Sequence, residues 1–191
     1  MTATDGDLVV RALGGSESAF RELVRRYQRP LYGVVSRIVS DRGVAEELVQ
    51  DTFVKAFMAL DTYDRQRKFS TWLFRIGHNV TVDYVRRRRI ETVSLDDPAE
   101  GGEPREATVT RTPSPDRLAE HAELAAALEA ALAEIRVDYR ELVILRYQEG
   151  LTYEEIASVT DQTAGTVKSS LHRARKELAR RLTAAGWTDA S

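Results

Sequence analysis

Apolar residues recur every three to four positions along this chain, and no run alternates with period 2 over a useful length, so the pattern predicts an all-α protein. A short helix over 5–13 stops at Gly14-Gly15. Phe20, Leu23, Val24 and Tyr27 stand at i, i+3, i+4 and i+7, which is one apolar face of a second helix. Pro30 has no N–H to donate and is expected to restart that helix in its first turn, with Leu31, Val34, Val35 and Ile38 carrying the face on. Asp41-Arg42-Gly43 breaks the pattern. Residues 44–60 then form a third helix with Val44, Leu48, Val49, Phe53, Phe57 and Leu60 apolar. After the polar stretch Asp61–Lys68, Ser70 or Thr71 can cap a long helix reaching Arg88.

The pattern stops over 90–115, which holds Asp96-Asp97-Pro98, Gly101-Gly102, Pro104, Pro113 and Pro115 and few large apolar residues. It reads as a linker whose contour, at about 3.3 Å per residue, reaches tens of ångströms. Helical signals resume at Ser114-Pro115-Asp116, continue through an Ala/Leu/Glu-rich segment to 135, and return over 139–149, with Gly150 as the stop. Two further helices follow at 153–159 and 164–184. The expected organisation is therefore two small helical domains, 1–90 and 116–185, joined by an acidic Pro/Gly linker over 91–115.

Charge alters this picture. The 191 residues carry a formal charge of only −2, which taken alone disfavours a nucleic-acid binder. Residues 65–89, however, hold eight basic residues and one acid, and residues 168–181 hold six basic residues and one acid. These two blocks total +12 and leave −14 for the remainder, of which 90–134 supplies −8. Where charge sits matters more to a partner than its sum.

The block over 65–89 interleaves its bases with Phe69, Trp72, Phe74 and Tyr84. Cations that track phosphates beside aromatic faces suit partly single-stranded nucleic acid. The same spacing also suits a buried stripe of Phe69, Trp72, Leu73 and Ile76, and the run Arg86–Arg89 also suits a solvated helix end facing the dipole. Asn79 is the stronger base-reading candidate, because its amide can pair bidentately with a base edge. In the second block, Thr152-Tyr153-Glu154-Glu155 is a capping box, Ala157 permits close helix approach, and Thr163 can cap a second helix after the turn Thr160-Asp161-Gln162. Val167 and Leu171 face inward while Lys168, Ser169, His172, Arg173 and Arg175 do not, which is the layout of a helix-turn-helix or of a plain helical cap with a solvated basic face.

Other chemistries find little support. Cysteine is absent, which removes disulfides, thiol catalysis and cysteine-held metal together. His78, His121 and His172 are scattered, and there is no His-Glu-x-x-His, Gly-x-Ser-x-Gly or P-loop pattern, so no enzyme activity, cofactor or metal is expected. No apolar run approaches the roughly 20 residues of a membrane span. The first residues, with Asp5 and Asp7, lack a basic start followed by an apolar stretch, so a cytoplasmic protein without membrane insertion is expected.

Four segments in order resemble the extracytoplasmic-function (ECF) sigma factors of the sigma-70 family: Ala19–Tyr27, Ala45–Phe57, Lys68–Asn79, and Gly150–Ala157 with Gly165–Ser169. The resemblance covers nearly everything except the linker and the extreme termini. It implies sigma domain 2 followed by sigma domain 4, and promoter-directed initiation with core RNA polymerase through −10 melting and −35 binding. It assigns Glu47, Gln50, Asp51 and Phe53 to docking on the β′ clamp helices, and 41–64, with six acids and two bases, suits a basic partner. It assigns Lys68, Trp72, Arg75, Asn79 and Arg86 to the −10 element, where melting draws on binding energy as an unstacked base is captured. It assigns Arg146, Lys168, Ser169, His172, Arg173 and Arg175 to the −35 element, with the β flap as a further polymerase contact. Asp161-Gln162-Thr163-Ala164 departs from the frequent Gly-Val-Pro-Val, and Ser170 stands where arginine is frequent, so both bear on −35 preference. No long domain follows Ser191, which implies a separate regulator, an anti-sigma factor. A free-standing helix-turn-helix regulator would leave the Trp72–Asn79 block and the Glu47–Phe53 helix without a role.

Overall fold

A computed structural model describes residues 3–93 and 115–187, with side chains over 3–88 and 122–187. The expected linker lies almost wholly outside the described residues. Among the described residues eight α-helices run in order: α1 (Asp5–Leu13), α2 (Glu17–Ile38), α3 (Arg42–Met58), α4 (Phe69–Val93), α5 (Pro115–Glu134), α6 (Val137–Val143), α7 (Tyr153–Thr160) and α8 (Ala164–Ala184). A 3₁₀ turn, Leu60–Thr62, follows α3. No strand occurs among the described residues.

Helices α1–α4 form the N-terminal unit. A Thr4–Asp7 capping box starts α1. Pro30 does not restart α2: one helix runs from Glu17 to Ile38, and Leu23, Leu31, Val34 and Val35 are buried on both sides of the proline. Burial of that continuous stripe outweighs one lost backbone bond. Helix α4 begins at Phe69, so Ser70 and Thr71 sit in its first turn rather than capping it. Its middle lies close against α2 and α3 because position 77 has no side chain. A Cβ on Gly77 would stand 2.6 Å from Leu31 Cδ1 and 3.6 Å from Thr52 Cγ2, both on buried residues. Thr52 and Thr81 are also buried, and each donates its hydroxyl to a carbonyl one turn back, Leu48 and Gly77 respectively, both at 2.7 Å.

Helices α5–α8 form the C-terminal unit around Leu142, Leu145, Ile156, Val159, Val167 and Leu171. The helix expected over 139–149 starts earlier, at Val137, and widens to π geometry over Ile144–Gln148. Gly150, at φ +69°, then reverses the chain. The capping box at α7 forms as expected: the Glu155 N–H donates to Thr152 Oγ1 at 3.1 Å, and the Thr152 N–H donates to Glu155 Oε2 at 2.7 Å. Thr163 caps α8 through the Thr166 N–H at 3.1 Å. Between the two helices Asp161 adopts the left-handed conformation (φ 54°, ψ 42°) that a glycine would take more easily.

The two units do not stand apart. Helix α4 packs on α7, and α2 packs on α6. We expect Gly77→Val to force side chains into the α2–α3–α4 contact and to destabilise the protein by about 1–3 kcal/mol, read as a lower urea midpoint with unchanged slope.

Candidate nucleic-acid and polymerase-docking interface

Lys68, Trp72, Arg75, Asn79 and Arg86 fall at intervals of four, three, four and seven residues, so they share one face at the start of α4 and along it. Arg75, Asn79 and Arg86 are exposed. Trp72 is only half-buried, and its ring lies 5.5 Å from those of both Phe69 and Tyr63. Phe69 itself is buried and meets Tyr27 and Tyr63, so these aromatics are mainly core. The Tyr63 hydroxyl donates to the Arg67 carbonyl at 2.6 Å, which fixes the loop leading into the stripe. Arg86 is paired with Asp83 at 2.6 Å, and Lys68 with Glu155 of α7 at 2.9 Å. Burial works against the charge of Glu155, but the bond from Thr152 and the Lys68 ammonium outweigh it and hold its pKa below the usual carboxylate range.

The expected docking residues divide. Glu47, Gln50 and Asp51 are exposed on one face of α3. Phe53 is not on that face: it is 8% exposed and packs in the core, two positions round from Asp51. The exposed apolar residues beside the acidic face are Val54 (58%), Phe57 (57%) and Met58 (78%). Phe57, expected with the buried set, meets Phe20 edge-on at 4.8 Å between ring centres. The signal in the sequence was that α3 carries apolar residues all round its circumference, more than one face can bury.

On α8, Lys168, Ser169, His172, Arg173 and Arg175 are all exposed. Ser169 Oγ donates to the Thr166 carbonyl at 2.9 Å. Arg146 is turned inward instead. Its Nη1 donates to the Leu151 carbonyl at 2.7 Å and its guanidinium lies 4.9 Å from the centre of the Tyr153 ring, so it braces the entry to α7. His78 is half-buried against the buried Glu141, with Nδ1 and Oε1 2.7 Å apart. Nothing in the periodicity marked that pair, because its two residues come from different units. No group of three or more metal-ligating side chains occurs among the described residues, and no described helix is long and apolar enough to cross a membrane.

Comparison with known proteins places these surfaces in context. Residues 23–90 match the Sigma-70 region 2 family, and residues 125–178 match Sigma-70, region 4. The ECF RNA polymerase sigma-E factor of Escherichia coli K12 is 34% identical over 182 residues, 92% of each chain. The ECF RNA polymerase sigma factor SigW of Bacillus subtilis is 30% identical, over 88% of this chain and 91% of its own. Among solved structures, CnrH in complex with the cytosolic domain of CnrY has a TM-score of 0.65 at 29% identity, covering 94% of this chain and 97% of that one. RpoE from Bartonella quintana, solved with the anti-sigma factor NepR, has a TM-score of 0.71 at 26% identity, covering 86% and 96%.

One carboxylate beside the helix-turn-helix is electrostatically disfavoured. Burial at the end of the π segment raises the pKa of Glu149 above the ordinary glutamate value. Its charged form is therefore costlier in the folded state than in the unfolded state. Stability falls as pH rises from the unfolded pKa through the folded one, and the cost is complete above that. Glu149→Gln is expected to raise the melting temperature at pH 7 and to lose that advantage as pH drops below the ordinary glutamate range.

Proposed function

This chain belongs to the extracytoplasmic-function family of RNA polymerase sigma factors, and on that footing we propose how its surfaces divide the work of initiation. As such a factor it directs core RNA polymerase to specific promoters, and its partners are core polymerase and promoter DNA. Its own contribution is binding, while bond-making belongs to the polymerase it joins. The working compartment is that of the chromosome, the cytoplasm.

The N-terminal unit, residues 1–90, docks on polymerase and opens the −10 element. The exposed acids Glu47 and Asp51, with Gln50, meet the basic surface of the β′ clamp helices, and Val54, Phe57 and Met58 supply the apolar contact that Phe53 cannot. The observation that carries the −10 reading is the single face shared by Lys68, Trp72, Arg75, Asn79 and Arg86. Arg75 and Arg86 follow the strand backbone, and the Asn79 amide takes the edge of an unstacked base. The aromatic cluster beneath supports the stripe, and only the free part of Trp72 is available for stacking.

The C-terminal unit, residues 116–185, reads the −35 element with α8 in the major groove and meets the β flap. Lys168, Ser169 and His172 approach base edges, while Arg173 and Arg175 hold phosphates. Arg146 acts one step back, by holding the approach to α7. The likeness to RpoE solved with NepR supports an anti-sigma factor as a further partner of this chain.

Run-off transcription with core polymerase tests the assignment. The chain should co-purify with core and initiate at a cognate promoter, whereas Gln50→Lys with Asp51→Lys should retain helicity but lose core binding. Unaltered core affinity in that double variant removes the α3 face from the docking site. Asn79→Ala should cost about 1–3 kcal/mol of discrimination at one −10 position, seen as relaxed preference there in a promoter-variant panel. An unchanged profile removes Asn79 from base reading.

A further inference from the structure

The basic run near the end of α4 does not act as one block. Successive helical residues turn by about 100°, so Arg87 and Arg88 stand about 100° and 200° round α4 from Arg86 and leave the stripe that Arg86 shares with Asn79. Both are exposed, and both turn toward α3 instead. There they join Val80 and Tyr84, at i, i+4, i+7 and i+8 of α4, opposite Leu48, Asp51 and Lys55, at i, i+3 and i+7 of α3. The two facing rows enclose a cleft of about 370 Å³. Small-ligand sites usually hold roughly 300–1,000 Å³.

The buried Leu48 and Val80 give the cleft an apolar floor, and the half-buried ring of Tyr84 continues it. Its rim carries three cations, Lys55, Arg87 and Arg88, against the one carboxylate of Asp51. Lys55 and Asp51 lie one turn apart on α3 and do not pair, and the Tyr84 hydroxyl has no hydrogen bond among the described residues. Arg87 reaches only the Asp83 carbonyl, at 3.4 Å, and no carboxylate among the described residues. Elsewhere on these two helices cations do find carboxylates, Arg86 with Asp83 and Arg42 with Glu46. Each part of the cleft suits a different part of one kind of molecule. Guanidinium and ammonium groups bind phosphate oxygens. The apolar floor takes the face of a ring, and the carboxylate accepts from a ring N–H or a sugar hydroxyl. A bare polyanion leaves the floor unused and is repelled by Asp51. A purely apolar ligand covers three cations without pairing them.

We propose that the α3–α4 cleft is a binding site for a nucleoside polyphosphate, with the phosphates on Lys55, Arg87 and Arg88, the ring over Leu48 and Val80, and Asp51 accepting from the ring or the sugar. Asp51 also belongs to the α3 face proposed above to meet polymerase. One carboxylate then serves two partners, so a filled cleft weakens docking and loading of the factor follows nucleotide supply. This regulatory consequence rests on the docking proposal; the site itself does not.

Isothermal titration calorimetry of the full chain with GTP, ATP and inorganic tripolyphosphate tests the site. At least one of the two nucleotides should bind with a Kd below about 1 mM, and more tightly than tripolyphosphate. Lys55→Gln with Arg87→Gln should weaken that binding at least about tenfold, while the far-UV circular dichroism and the melting temperature stay those of the parent. No nucleotide binding by the parent, equally tight binding of tripolyphosphate, or undiminished nucleotide binding by the folded double variant overturns the site. Affinity for core polymerase separates the consequence from its premise. Saturating nucleotide should lower the affinity of the parent chain for core and leave that of the double variant as it is without nucleotide. A parent chain that binds nucleotide yet docks unaffected removes Asp51 from the docking face and leaves the cleft as a ligand site.

Discussion

Everything the N-terminal unit presents to a partner depends on how closely α4 can lie against α2 and α3. That approach is set at Gly77, where the nearest atom to a would-be Cβ belongs to the fully buried Leu31. Two threonines beside it, Thr52 and Thr81, turn their hydroxyls onto their own helices and so place no unsatisfied polar group in the contact. With the inner face of α4 seated in this way, the opposite face is displayed as one straight stripe. The face of α3 proposed to dock is set by the same contact, because burying Leu48, Val49, Thr52 and Phe53 leaves Glu47, Gln50, Asp51 and Val54 outside.

The helical periodicity carried most of the fold. Eight helices, the Gly14 and Gly150 stops, the Thr152 capping box and the Thr163 cap were all legible from local chemistry, because each rests on residues within four positions of one another. Failures came where a tertiary contact overrode a local rule. Pro30 sits inside α2 because the stripe on both sides of it is buried. Phe57 is exposed because α3 has more apolar residues than its one buried face can take. Asp161 fills a left-handed turn position usually associated with glycine, a conformation that aspartate tolerates better than most residues.

The candidate surfaces were legible to a similar extent. The family resemblance named the residues proposed for the −10 element and their intervals put them on one face, while spacing kept the α8 donors outside; neither separated the exposed Asp51 from the buried Phe53. Nor could either find His78 with Glu141, whose meeting depends on the packing of one unit against the other. The residual ambiguity in the charge total resolves in the same way. Two of the acids that offset the basic blocks pair with cations of the other unit, Glu129 with Arg37 and Glu155 with Lys68.

If the α4 stripe takes the −10 role proposed for it, the bond from the Tyr63 hydroxyl to the Arg67 carbonyl, set within the cluster of Tyr27, Phe69 and Trp72, has a consequence for the thermodynamics of strand capture. A loop left free until it met DNA would surrender its backbone entropy at the moment of binding, roughly 1–2 kcal/mol for each residue fixed. Here the end of the loop is ordered when the domain folds, so its entropy loss falls on folding and not on the melted strand. The free energy of contact is then available to hold bases out of the duplex.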